Sequence, residues 1–178
     1  MITKMKRIMF DTSVYGELIK ELEVVDEIVR CIPNHIVMYG TKIIRNELRE
    51  TPKGGREHGK GKKLLLLKIY DLMVRKEHHS LECNKLVETL AEDYFKGYKK
   101  QGGALSNDAM ANDLRIIATA TIYQLDIIVS DDEHSMLSNH AVKSYKSINA
   151  AYGLKNPAFE NYSSFKKRIK RICQYDKQ

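Results

Sequence analysis

Five acids at four places along the chain could do chemistry together, two of the places at the ends of apolar runs and two inside apolar-periodic stretches. Asp11 closes the apolar run Ile8-Met9-Phe10, and the pair Asp131-Asp132 follows Ile127-Ile128-Val129-Ser130. Glu47 and Asp113 lie within two apolar-periodic stretches. Carboxylates brought together repel one another and repel a phosphodiester, unless a cation stands between them. Hard divalent ions such as Mg²⁺ and Mn²⁺ take all-oxygen donor sets of this kind, and can activate water and stabilise a leaving oxygen. Each acid alone has a plainer explanation: an aspartate after a strand caps a helix, and a lone glutamate on a helix is a solvated face. Asp108, in Ser106-Asn107-Asp108, is read in that plain way, as a residue favoured by a helix N-terminus.

Positioning such acids requires strands that end where they stand. Lys6-Arg7-Ile8-Met9-Phe10 reads as a buried strand, after which Thr12 or Ser13 caps a helix carrying Val14, Leu18 and Ile19. Leu22, Val25, Ile28 and Val29 recur at helical spacing until Pro33-Asn34. Ile36-Val37-Met38-Tyr39 is a second strand, and Ile43, Ile44, Glu47 and Leu48 mark a helix closed by Pro52. Residues 53–63 are glycine-rich, basic and free of apolar side chains, and predict a mobile surface loop. Helices are expected over 64–74, 86–98 and 106–124, then a third strand at Asp126-Ile127-Ile128-Val129-Ser130. A short helical segment around Met136, a fourth strand near Val142 and a basic helix or tail over 164–175 complete the pattern. Strands alternating with helices imply a parallel α/β sheet, whose functional groups collect at the carboxyl ends of the strands.

The motifs, taken in order, resemble those of PIN-domain ribonucleases. Ile8-Met9-Phe10-Asp11-Thr12-Ser13 is similar to that family's opening strand and first acid, and Ile43-Ile44-Arg45-Asn46-Glu47-Leu48 to its second motif. Asn112-Asp113-Leu114-Arg115-Ile116-Ile117-Ala118-Thr119-Ala120 resembles its aspartate followed by a small, apolar helix. Ile127-Ile128-Val129-Ser130-Asp131-Asp132 resembles its final strand, where Ser or Thr precedes an acid by two positions. The resemblance implies a PIN-like parallel sheet flanked by helices, and a Mg²⁺- or Mn²⁺-dependent endoribonuclease of the toxin–antitoxin kind. It implies Asp11, Glu47, Asp113 and Asp132 as metal ligands, with Thr12 or Ser13 and Ser130 as polar support; Asp131 reads either as a supporting group beside Asp132 or as a turn acid, and spacing alone does not fix which of the two would hold the metal. RNA, an antitoxin protein and a second copy of the chain are the partners it implies. The chain, read as one domain over 1–178, exceeds a minimal PIN toxin; the surplus over 53–103 reads as the basic loop plus an inserted helical pair.

Composition agrees with a polyanion partner. Thirty Lys and Arg against 23 Asp and Glu leave a net charge of +7, a field that favours nucleic acid. Lys53, Arg56, Lys60, Lys62 and Lys63 form one basic patch; Lys166, Lys167, Arg168, Lys170 and Arg171 form another, with Phe165 and Tyr175 near for base stacking. A basic run is more often a solvated face, so both patches are contributors to RNA binding and not sites in themselves. Three widely spaced cysteines, no apolar stretch of membrane-spanning length and a basic amino terminus without a signal-peptide pattern together predict a reduced, cytoplasmic setting.

Two near-motifs fail. Gly54-Gly55-Arg56-Glu57-His58-Gly59-Lys60-Gly61 lacks the Ser or Thr that ends a phosphate-binding loop, and His78-His79 has no cysteine partners at zinc-ligand spacing. A haloacid-dehalogenase-like phosphatase needs an acid two positions after its nucleophile, where Ser13 stands. A non-catalytic PIN-like module that binds RNA or protein is the remaining alternative.

Overall fold

A computed structural model describes residues 5–32, 34–50, 58–75 and 77–175. Five parallel strands form one sheet: β1 (Lys6–Phe10), β2 (Ile36–Thr41), β3 (Ser80–Leu81), β4 (Ile127–Val129) and β5 (Ala158–Glu160), in the order β3-β2-β1-β4-β5. Ile8, Met9 and Phe10 have no exposed surface, as expected of a central strand covered on both faces. Register aligns Ile8 with Met38 on one side and with Ile127 on the other, and Phe10 with Val129. β1 and β4 therefore end together. The chain fills the sheet from β1 outward to β3, then returns to the other side of β1. Between β1 and β4 lies the reversal of strand order at which open parallel sheets leave a crevice.

Eight helices are described: α1 (Thr12–Leu18), α2 (Leu22–Cys31), α3 (Lys42–Glu50), α4 (His58–Met73), α5 (Lys85–Lys100), α6 (Asn107–Ile122), α7 (Asn139–Tyr152) and α8 (Tyr162–Tyr175). α6 is a helix buried over most of its circumference, with Leu114, Ile116, Ile117, Ala118 and Ala120 essentially inaccessible. It packs on α5, where Arg115 Nε donates to both oxygens of Glu88 at 3.0 and 2.9 Å. α5 meets α7 closely because Gly97 has no side chain; a Cβ there would lie 2.3 Å from Ser144 Oγ, which donates to the Tyr94 carbonyl at 2.7 Å. α8 lies against α2, burying Phe165 and Ile169, with the Phe165 ring edge-on to Phe10 at 4.9 Å.

Several expectations need correcting. Val142 lies within α7, since Ser138 caps a helical turn there by accepting from Ala141 N. The last strand is instead β5, three residues with no interior alternation to read. The surplus segment is not purely helical, because it delivers β3 as the outer strand beside β2. Helix α4 starts at His58, so Lys60, Lys62 and Lys63 are helical, while Lys53 and Arg56 lie outside the described residues. His78 and His79 form a 3-10 turn, and the segment around Met136 is a set of turns. The N-cap position of α1 belongs to Asp11; the hydroxyls of Thr12 and Ser13 bond elsewhere.

Candidate active site

The carboxyl edge of the sheet brings the acids together through a web of hydroxyls. Asp11 follows β1 directly and is 5% exposed, so its charge must be satisfied by neighbours. Its Oδ2 accepts from Ser13 Oγ at 2.8 Å and from Ser130 Oγ, fully buried beyond β4, at 2.9 Å. Its backbone N–H donates to the Val129 carbonyl at 2.9 Å, which extends the β1–β4 pairing into the site.

Glu47 reaches the same edge from α3. One of its oxygens accepts from Thr12 Oγ1 and the other from Asn112 Nδ2, the latter at 2.6 Å, joining α3 to α1 and α6. Helix α3 starts where it does because Thr41 Oγ1, at the end of β2, accepts from Ile44 N at 3.2 Å. Arg45 anchors the helix with two bonds to Asp71 of α4, at 3.0 and 3.1 Å.

Asp113 enters from α6, one residue beyond Asn112. Its Oδ2 bonds Ser135 Oγ, which also stands 2.6 Å from Asp132 Oδ2. Burial pushes the Asp113 carboxyl up to about 7; the Ser135 hydroxyl opposes this, and the charges of Asp11, Asp132 and Glu47 add to it. Asp132 behaves oppositely. Burial alone would raise it, but bonds from the Ser135 hydroxyl and from the N–H groups of Ser135 and His134 hold it below the usual carboxylate range. Beneath the site the Tyr15 hydroxyl is buried, and no hydrogen-bond partner for it exists among the described residues.

Asp131 and Asp132 diverge because β4 stops at Val129 and the chain then turns. Asp132 faces Asp113 through Ser135, whereas Asp131 Oδ1 accepts from Tyr162 N at 2.9 Å and so ties down the start of α8. Asp131 N in turn donates to Ser13 Oγ at 3.3 Å, and Asp132 N to Ser130 Oγ at 3.1 Å. All eight expected site residues thus lie in one connected neighbourhood. Two that sequence reasoning did not single out, Asn112 and Ser135, are its bridges. Asn112 precedes Asp113 and Ser135 sits three residues after Asp132, but neither spacing announces a bond between separate elements.

The donor set is oxygen throughout, which is the chemistry a hard divalent ion requires. Among the described residues no three His, Cys, Asp or Glu side chains converge closely enough to hold a metal ion between them. Hydroxyls occupy the intervening positions: Thr12 at Glu47, Ser130 and Ser13 at Asp11, Ser135 between Asp113 and Asp132.

The described residues of the two basic patches are not equivalent in the structure. Lys166 Nζ pairs with Glu21 at 2.6 Å and Arg168 with Glu160 at 3.1 Å, which spends both charges on holding α8. Lys62, Lys167 and Arg171 are exposed, and Lys63 and Lys170 half-buried. Phe165 is wholly buried against Phe10 and cannot stack on a base.

No protein-family model matches the chain, and no curated protein matches it in sequence. Solved structures do. A chain of VapBC-1 from nontypeable Haemophilus influenzae is similar over 88% of this chain and 98% of its own, at TM-score 0.56 and 17% identity. A chain of VapBC2 from Rickettsia felis, bound to a DNA fragment from their promoter, gives the same coverages and TM-score at 14% identity. A chain of FitAB bound to an IR36 DNA fragment is similar over 86% of this chain and 94% of its own, at TM-score 0.51 and 16% identity. With its all-parallel sheet flanked by helices, this chain has the PIN-like α/β fold of those structures.

Proposed function

We propose that this chain is a metal-dependent endoribonuclease, with Asp11, Glu47, Asp113 and Asp132 holding Mg²⁺ or Mn²⁺ against an RNA phosphodiester. The observation that carries the proposal is geometric: four acids from separate elements meet in one hydrogen-bonded neighbourhood at the carboxyl edge of the sheet. Burial first, and then the charges of Asp11, Asp132 and Glu47, raise the proton affinity of Asp113 there, a setting in which a bound cation would be favoured. When bound, the ion supplies charge neutralisation between carboxylates and phosphate and activates water for attack. Ser130 and Ser13 orient Asp11, Thr12 and Asn112 orient Glu47, and Ser135 aligns Asp132 with Asp113. To hold an ion the carboxylates would have to draw closer together than they stand here, displacing the hydroxyls that now lie between them.

The structures of similar fold are toxin–antitoxin complexes, which supports a toxin role with an antitoxin protein and a second copy of this chain as partners. RNA approach is assisted by the net charge of +7 and by the exposed cations Lys62, Lys167 and Arg171. Among the described residues no helix is long and apolar enough to cross a membrane.

The test is cleavage of single-stranded RNA by purified protein in Mn²⁺ or Mg²⁺, with EDTA as control and Asp11→Asn and Asp113→Asn as variants. Metal-dependent cleavage lost in both folded variants is expected. Activity that survives EDTA, or a variant at near wild-type rate, defeats the site assignment. RNA binding without cleavage in either metal would make the chain a non-catalytic module.

A further inference from the structure

Beside the acids lies a cleft of about 430 Å³ that their hydrogen-bond web does not use. It is lined by Glu133, Leu137, Asn139, Phe159, Glu160 and Asn161. Its position is set by two walls that both touch the site. The turn after Asp132 forms one wall, closed by Leu137 N donating to the Asp132 carbonyl at 2.8 Å. The end of β5 forms the other, where the Glu160 carbonyl accepts from Ser130 N at 3.0 Å.

Phe159 and Leu137 are half-buried and give the cleft an apolar lining; Phe159 is backed by the Tyr145 ring at 6.0 Å. The polar groups around it have bonding capacity to spare. The exposed side chains of Glu133 and Asn139 make no hydrogen bond or ion pair among the described residues. Asn161 Oδ1 accepts from Ser164 N at 2.8 Å, and its amide N–H groups have no partner among the described residues. Glu160 Oε2 lies 3.1 Å from the Arg168 guanidinium, which offsets its charge, although this buried oxygen accepts no hydrogen bond among the described residues.

An aromatic ring with unspent carboxylate and amide groups suits a flat heterocycle with both donors and acceptors on its edges. It does not suit a phosphate, which the Glu133 carboxylate repels. The four RNA bases differ in what they offer a carboxylate. Guanine presents two adjacent donors, N1–H and the N2 amine, to the two oxygens of one carboxylate. Its O6 and N7 acceptors then remain for amide N–H donors. Adenine and cytosine pair one donor with an acceptor that would face the carboxylate, and uracil's N–H lies between two carbonyls.

We propose that this cleft holds a guanine base next to the scissile phosphate, with Glu133 reading N1–H and N2, Asn139 and Asn161 reading O6 and N7, and Phe159 stacking on the ring. This rests on the nuclease reading above and makes the enzyme selective for a guanine at one register from the cut.

Single-stranded RNA hexamers carrying one guanine at each position in turn, with inosine and adenine replacements, test it in Mn²⁺. One position should show kcat/KM at least about tenfold higher for guanine than for inosine, which lacks only the N2 amine. Glu133→Gln should reduce that ratio to about twofold or less. A guanine preference that survives in both Glu133→Gln and Glu133→Ala, or cleavage without any positional preference, overturns the proposal while leaving the nuclease reading intact. If wild-type protein cuts no hexamer, the nuclease reading fails on its own. Fluorescence anisotropy of the same hexamers without metal still reads the cleft, and equal affinity for guanine and inosine hexamers would overturn it there.

Discussion

Replacing Asp113 by asparagine removes one negative charge from the most conflicted position of the site and keeps a side chain that can bond Ser135. In metal-free protein the Asp113 carboxyl titrates near 7 instead of at its ordinary 3.8. A group that binds its proton more tightly in the folded chain contributes fully below its unfolded value, and loses that contribution as pH rises through the folded value. The window here runs from about 4 to about 7. At about 1.4 kcal/mol per tenfold change in proton affinity, ionising Asp113 within the fold costs on the order of 4 kcal/mol. Water entering at the partly exposed cleft mouth relieves some of this, so about 2 kcal/mol is the expected gain for Asp113→Asn near pH 8. In a chain of this size that gain raises Tm by roughly 4–8 °C, shrinking by more than half near pH 5. Thermal unfolding in EDTA at several pH values measures it. Mn²⁺ should then stabilise wild type more than the variant and more than Ca²⁺ does, closing or inverting the gap, because only the folded wild-type site offers the full set of oxygens. A gap between the two proteins that does not change with pH, or a variant less stable at high pH, refutes the electrostatic argument. A wild-type Tm indifferent to millimolar Mn²⁺ refutes the metal site.

The neighbouring acids after β4 should separate in function: Asp132→Ala should lower turnover at least about a hundredfold, since it removes an expected ligand. Asp131→Ala should instead lose about 1 kcal/mol of stability with little change in turnover, because its visible work is to accept from Tyr162 N. Steady-state rates in saturating Mn²⁺ and urea unfolding decide the matter, and a larger rate loss at Asp131 would exchange their roles. Cys83 should resist alkylation: burial, with Glu88 beside it, pushes its thiol up to about 11. Peptide-resolved labelling with iodoacetamide near pH 8 should therefore run about a hundredfold slower than for free cysteine, and ordinary reactivity would contradict that environment.

Much of the framework was readable from local pattern. The apolar run before Asp11 fills the buried strand β1, and the small and apolar side chains of 116–120 match a helix stretch that is buried throughout. Burial on every side leaves such a signal because nearly every residue in the segment must be apolar or small. The order of the acids along these elements followed from the same stretches, since parallel strands place their carboxyl ends on one edge whatever the loops do between them.

Tertiary structure decided what local pattern could not carry. β3 and β5 have two and three residues, too few to show a period, and they exist because β2 and β4 offer unpaired edges. Val142, expected in a strand, is helical because Ser138 caps α7 and that helix packs on α5. The two basic patches looked alike in sequence, but Lys166 and Arg168 found acids on other elements and became anchors of α8. Asn112 and Ser135 acquired their places in the site only when α6, α3 and the turn after β4 came together. Backbone conformation and burial are governed by each segment's own composition, so they leave a trace in one dimension. A hydrogen bond between residues such as Asn112 and Glu47, 65 positions apart, depends on where two separate elements dock, and no local pattern encodes that distance.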